Sequence, residues 1–414
     1  MLTTRIIDDL HQAEALSERW RELLKRAAHD EPVSTPSWLL AWWRQFGDAD
    51  GRKLALVVVE EGDKLVGLAP LATRLMMHRR AIPSRRIELL ATGEDEKDEI
   101  CSDYVGVIVE KGREADVANA LARALVKDEA LGGWDELVMP AMSGEDAFVD
   151  AFRRALERQG AKVAVTECGQ CPHIPLPATW DDYVKELDSS RRYVVTRSLR
   201  ELEKWAGKDG YALVRASNDE ELREGRRILH SLHGERWEGE GETGVFASER
   251  FTRFHDEMMP KLMAGIDGAL DLMWLTVKGE PVAAVYNIIY GGKVYFYQSG
   301  RKLDVPKSAK PGIAIHALAI KRSIDAGHRE YDFLNGASQY KRQLALAHRP
   351  LVVLRAVAPS LRARAVDAAR TLAERAVVRV RQYKDKKELK EKKAKPAETA
   401  ASPGGERAVQ EPPG

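Results

Sequence analysis

The chain has 414 residues, 44% hydrophobic and 31% charged, which is too long for one core and ordinary for a globular protein of two or three domains. Its 65 basic and 64 acidic residues leave a net charge of +1, so nothing global draws it to nucleic acid. Three cysteines exclude a disulfide scaffold and fit a reducing compartment, and the N-terminus lacks the apolar run of a signal peptide, so the expected location is the cytoplasm and no membrane-spanning helix is expected.

Taken in order, Arg5–Asp8 reads as a strand, and Leu10, Ala13, Leu16, Trp20, Leu23 and Ala27 as a helix stripe. Ser37 is the expected N-cap of a second helix ending near Gly47. Leu54–Glu60 and Lys64–Leu71 form a hairpin around Glu61-Gly62-Asp63. Strands at Ile87–Leu90 and Tyr104–Val109, helix Glu114–Val126, strand Glu136–Met139, helix Glu145–Gln159 and strand Lys162–Thr166 complete the first half.

The prolines of Cys171–Pro177 predict an extended linker. Beyond it come helices Trp180–Leu187 and Arg192–Ala206, strand Tyr211–Arg215, helix Asp219–Arg236 with Asn218 as its cap, and helix Ser248–Ala264. Strands Leu270–Val277, Val282–Tyr290 and Lys293–Gln298 follow, then helix Pro311–Ala326, strand Glu330–Leu334, helix Ala337–Leu344 and strand Leu351–Ala356. Between Leu361 and Lys395 thirteen Lys/Arg meet five Asp/Glu, a local net of +8. Leu361, Ala365, Ala369, Leu372, Ala376 and Val380 recur there at helical spacing. This basic amphipathic helix either packs on its own domain or docks on an anionic membrane surface or acidic partner. The Pro/Gly/Ala/Glu tail from Pro396 has too little to bury and reads as disordered.

Several short motifs carry a resemblance when taken in order. They are Pro36-x-Trp38, Ser102-Asp103-Tyr104, Leu232–Trp237, Gly244-Val245-Phe246, Gly279–Ala284, Tyr295–Gly300, Lys310-Pro311-Gly312, Tyr331–Gly336 and Tyr340-Lys341. Over about residues 30–358 the chain resembles the CelD/BcsL-like acetyltransferases, bacterial GNAT proteins linked to cellulose or exopolysaccharide production and similar in their doubled fold to the Fem-type aminoacyl transferases. The resemblance implies an α/β tandem GNAT fold, mixed central sheets flanked by helices, with a C-terminal basic helix. It places a degenerate N-terminal GNAT-like domain at 1–168, a linker at 169–179, the acyltransferase domain at 180–358, the basic helix at 359–395 and the tail at 396–414. Two positions depart from the pattern: Lys310 stands where a Ser is usual and Leu344 where a Trp is.

The implied chemistry is acyl transfer from acetyl-CoA to an amine or sugar hydroxyl, with no metal and no nucleic acid. Its partners are the acyl-CoA and a small-molecule or saccharide acceptor. A helix N-terminus holds phosphate through free N–H groups and its dipole. Lys310, Pro311, Gly312, Ile313 and Ala314 are therefore the expected cofactor loop, Pro311 suiting the first turn, with Lys307 or Lys310 adding charge. Tyr340 either protonates the departing thiolate or packs. Asp332 either acts as base or is a buried carboxylate paired with Arg or Lys, and alternation faces it away from Tyr331 and Phe333. Glu235 and His233 can line the acceptor site. Cys168-x-x-Cys171 lacks the strand–helix setting of a redox motif and reads as incidental. The other readings are a Fem-like aminoacyl transferase, disfavoured by the net charge of −5 up to Ser360, and a non-catalytic scaffold of an exopolysaccharide system.

Overall fold

The computed structural model describes residues 1–375 apart from 48–49, 79–80, 128–130, 132, 240, 242, 307 and 337. The expected tail, the basic helix beyond 375, and Lys307 and Ala337 lie outside the described residues. The first half runs β1 Leu2–Ile7, α1 Leu10–Ala15, α2 Ser17–Leu24, α3 Pro36–Phe46, β2 Lys53–Glu61, β3 Lys64–His78, β4 Ile82–Leu89, β5 Ile108–Val109, α4 Glu114–Lys127, β6 Glu136–Ser143, α5 Ala147–Arg158 and β7 Lys162–Pro175. The second runs α6 Trp180–Glu186, α7 Ser189–Ala206, β8 Tyr211–Arg215, α8 Asp219–Glu238, α9 Glu249–Met263, β9 Ala269–Val277, β10 Glu280–Tyr290, β11 Lys293–Arg301, α10 Pro311–Asp325, β12 Glu330–Asp332, α11 Gln339–Leu344 and β13 Ala347–Val357. Residues 361–375 form a further helix.

All strands share one sheet, ordered β1-β2-β3-β4-β6-β13-β7-β12-β11-β10-β9-β8, with β5 on β3. The stretch read as a linker is the second part of β7, where Ile174 pairs with Tyr331 and Cys171 with Arg349. Prolines 172 and 175 are accommodated because the strand changes partner there, from β13 to β12. The last strand, β13, lies antiparallel between β6 and β7.

Other expectations change for local reasons. Thr35, not Ser37, caps α3, its hydroxyl accepting from the Trp38 N–H, and Pro36 fills the first turn. Ser37 instead donates its hydroxyl to Asp267 at 2.5 Å. The strand expected at Tyr104–Val109 shrinks to Ile108–Val109, because Cys101 (φ 51°) and Tyr104 (φ 72°) take the left-handed conformation. The helix at 361–375 turns the expected stripe outward: Leu361 and Leu372 are exposed, while Ala363 and Asp367 are buried. Asp367 draws it down through ion pairs to Lys162 and Arg355, both at 3.2 Å.

The two halves share one core. Trp38 of α3 meets Phe254 of α9 edge-on at 4.8 Å and donates its indole N–H to Ser102. A second cluster lies on the other sheet face, under α7 and α10. Glu136 ties β4, β6 and β13, accepting from Arg86 at 2.9 Å and Arg355 at 2.7 Å. Burial alone would raise its carboxyl, but the two guanidinia outweigh it and hold the group down at about 2. A depressed carboxylate stabilises the fold above its unfolded value of 4.5 and loses that stabilisation as pH falls toward 2. The stability gap between wild type and Glu136→Gln, measured by urea unfolding, is expected to narrow by about 2 kcal/mol over that interval. A gap independent of pH would show that the pair does not carry the linkage.

Candidate active site

The site begins with a splay. β11 and β12 pair in parallel only over Lys293–Tyr295 and Glu330–Asp332. Beyond that, the β10–β11 register shifts between Tyr286 and Asn287, leaving Tyr297 as a bulged residue of β11. A bulge bends its strand, and here it opens a wedge between β11 and the chain after β12. Among the described residues, the backbone of β11 past Tyr295 has no strand partner on the β12 side. Gly300 fits because a Cβ there would lie 2.4 Å from the His233 backbone nitrogen, so α8 and β11 touch backbone to backbone.

A cavity of about 460 Å³ occupies the wedge, walled by β11, the start of α10, α11 and the end of α8. Arg236, Arg301 and Lys310 supply its positive charge, and no acidic residue lines it among those described. Lys310 is the N-cap of α10 and offers no side-chain cap; Pro311 occupies the first turn. The amides of Ile313 and Ala314, expected to face phosphate, both donate at 3.0 Å to the Lys310 carbonyl. Among the described residues the Gly312 N–H has no backbone acceptor, so it is the amide left to face an anion. Lys310, Pro311, Gly312 and Ile313 line the cavity; Ala314 points into the core and is 1% exposed.

Tyr340 also lines the cavity, its ring stacked on His316 at 5.2 Å. Burial raises its hydroxyl above the ordinary tyrosine value, so it stays protonated and able to donate at neutral pH. Burial holds the His316 imidazole down at about 3, as a neutral ring.

The remaining candidates lie elsewhere. Among the described residues Glu235 is absent from the cavity wall and exposed, while its neighbour Arg236 faces in. His233 is buried behind β11, its Nδ1 2.9 Å from the Ser299 carbonyl; burial lowers it to about 4. Among the described residues its Nε2 has no hydrogen-bond partner; it packs against Gly244, and the ring lies 5.9 Å from that of Trp237. Asp332 is fully buried and absent from the cavity wall. It accepts from Tyr104 at 2.8 Å, Arg349 at 3.1 Å and the Leu334 amide at 2.7 Å, and burial raises it to about 7. These contacts are those of a buried paired carboxylate.

Five residues unmarked in the sequence as candidates, Glu94, Glu99, Cys101, Asp103 and Lys341, gather at the junction of the halves. Burial raises Asp103 to about 6 and Glu94 to about 7. Burial and then the charges of Glu99, Asp103 and Glu94 push the Cys101 thiol up, which places these groups within electrostatic reach of one another. Asp103 accepts from the Asn335 amide at 2.8 Å. Lys341, beside Tyr340, donates to the Asn335 carbonyl at 2.6 Å and lies within the field of Asp103. Gly336, at φ 128°, permits that turn. The motifs at 102–104, 331–336 and 340–341 thus meet at one place. Among the described residues no group of three or more His, Cys, Asp or Glu is gathered as metal ligands. Cys168 and Cys171 are free and lie on β7.

Residues 189–342 match the acetyltransferase (GNAT) domain family. That segment contains the bulged strand, α10 and Tyr340, and the presence of a GNAT acetyltransferase domain supports acyltransferase activity. No curated protein matches the chain. Among solved structures, the crystal structure of FemX superposes with a TM-score of 0.55 at 10% identity, over 84% of this chain and 96% of that one. The C-terminal domain of a putative lysylphosphatidylglycerol synthetase from Agrobacterium fabrum reaches 0.48 at 10% identity, over 88% and 97%. A tandem GNAT protein from the clavulanic acid biosynthesis pathway reaches 0.45 at 12% identity, over 87% and 100%. The architecture is an α/β fold, a mixed central sheet flanked by helices, shared with FemX and holding a GNAT domain in its second half. Among the described residues, no helix is long and apolar enough to cross a membrane.

Proposed function

We propose that the chain transfers an acyl group from an acyl-CoA to an amine or a sugar hydroxyl, with residues 180–358 as its acyltransferase domain. One observation carries the reading: the cavity at the free amide of Gly312, basic at Lys310, Arg301 and Arg236, and closed by Tyr340. The residues fit a CoA thioester. A helix N-terminus and three cations suit a diphosphate, and the wedge past Tyr295 leaves β11 backbone to polarise a carbonyl. Acyl-CoA supplies the activated thioester; the chain binds, orients and moves protons.

The acceptor is assigned to the bulge of β11, where Tyr297 lies within the field of Asp103 and Glu94. Burial raises the Asp103 carboxyl to about 6, which suits general-base work, and in this reading Asp103 takes the proton from the attacking nitrogen or oxygen. The nucleophile bonds to the thioester carbon, the carbon–sulfur bond breaks, and the Tyr340 hydroxyl gives its proton to the departing sulfur. The run of CelD/BcsL-like motifs supports a saccharide acceptor in exopolysaccharide metabolism.

Calorimetric titration with acetyl-CoA tests the reading: saturable one-site binding is expected, and no heat of binding would sink it. Tyr340→Phe is expected to keep the affinity for acetyl-CoA and lower turnover about 100-fold. Turnover equal to wild type would remove Tyr340 as the acid.

A further inference from the structure

A second hollow, of about 120 Å³, adjoins the first and shares Lys310 with it. It is lined by Tyr193, Val194, Arg197 and Ser198 of α7 and by Ser308. Arg197 lies over the Tyr193 ring at 5.6 Å and donates to its hydroxyl at 2.9 Å. That hydrogen bond orients the guanidinium without cancelling its charge. Glu201, one turn on from Arg197 along the same helix, lies within the field of Arg197 and accepts from Lys204 at 3.1 Å and from the Ser308 hydroxyl. Among the described residues, neither hollow has an acidic residue in its wall.

Two basic hollows joined at one lysine suit a ligand bearing phosphate at two nearby points. Coenzyme A is such a molecule: its diphosphate and its 3′-phosphate stand on one ribose. We propose that the hollow beside α7 binds the 3′-phosphate of coenzyme A through Arg197 and Lys310, with the diphosphate at Gly312. The half-exposed Tyr193 face, 53% accessible, then lies where the adenine can stack. The proposal rests on the acyl-CoA reading and sharpens it: the protein selects its donor at the nucleotide end as well as at the thioester.

The test is calorimetry on the full chain with coenzyme A and 3′-dephospho-coenzyme A, for wild type and Arg197→Glu. Arg197 is exposed, so the substitution leaves the core undisturbed. Wild type is expected to bind coenzyme A about tenfold more tightly than the dephospho form, the size of one charge-assisted phosphate contact. Arg197→Glu is expected to abolish that preference by weakening coenzyme A binding alone. Equal affinity of wild type for the two ligands overturns the proposal, and so does a preference that survives in Arg197→Glu. Failure of wild type to bind either ligand overturns the underlying acyl-CoA reading instead.

Discussion

Gly312→Glu is expected to lose acetyl-CoA binding by a factor of 100 or more while the protein stays folded. Gly312 carries the amide of the first turn of α10 that has no backbone acceptor among the described residues, since Pro311 has none to offer and Ile313 and Ala314 have spent theirs on Lys310. A carboxylate there meets the anion it should exclude, and opposes the helix dipole's preference only for ligand charge, not for its own. The site has room: a Cβ at 312 would approach only the flexible Arg301 side chain, at 3.2 Å. Arg301 is also the side chain best placed to pair with the new carboxylate, which would withdraw a second phosphate ligand. Affinity within threefold of wild type would place the cofactor elsewhere.

Arg349→Met is expected to cost about 3 kcal/mol of stability at neutral pH. Arg349 donates to Glu330 at 3.1 Å, Asp332 at 3.1 Å and Glu145 at 3.0 Å. Removing one partner of a buried ion pair typically costs about 3–5 kcal/mol, because the other charge stays buried. Asp332 moderates the loss, since burial already raises it to about 7 and it can take a proton. A raised carboxyl favours the protonated form in the fold, so the cost of losing Arg349 is expected to shrink as pH falls below 7. Urea unfolding of both proteins at two pH values checks this; a loss under 1 kcal/mol would show that the network is not supporting the junction.

Much of the second half was legible. Pro311 before Gly312 marks a helix start by local chemistry alone, and the strand expected at Tyr211–Arg215 is found with those bounds. Alternation also turned Asp332 away from Tyr331 and Phe333. The position of Asp103 was not legible as a site, because its meeting with Asn335 spans 232 residues and depends on left-handed turns at Cys101, Tyr104 and Leu334. Strain of this kind concentrates where backbone must serve geometry rather than ladders. Glu235 and His233 were read from a motif whose cavity-facing member is Arg236: a helix presents one face at a time, and its phase was not fixed by sequence. The proline-rich stretch misled because β7 exchanges neighbours there, a fact of topology rather than composition.

The placement of β13 has a consequence for how the protein is made. β6 and β7 are joined only through residues 347–357, which lie between them. During synthesis β6 ends at residue 143 and β7 at residue 175, that is 204 and 172 residues before their common neighbour begins at 347. Both edges must wait open, as templates for stray pairing, until β13 has been made. A nascent chain halted after α11 would hold Tyr340 and α10, yet would leave the middle of the sheet unclosed.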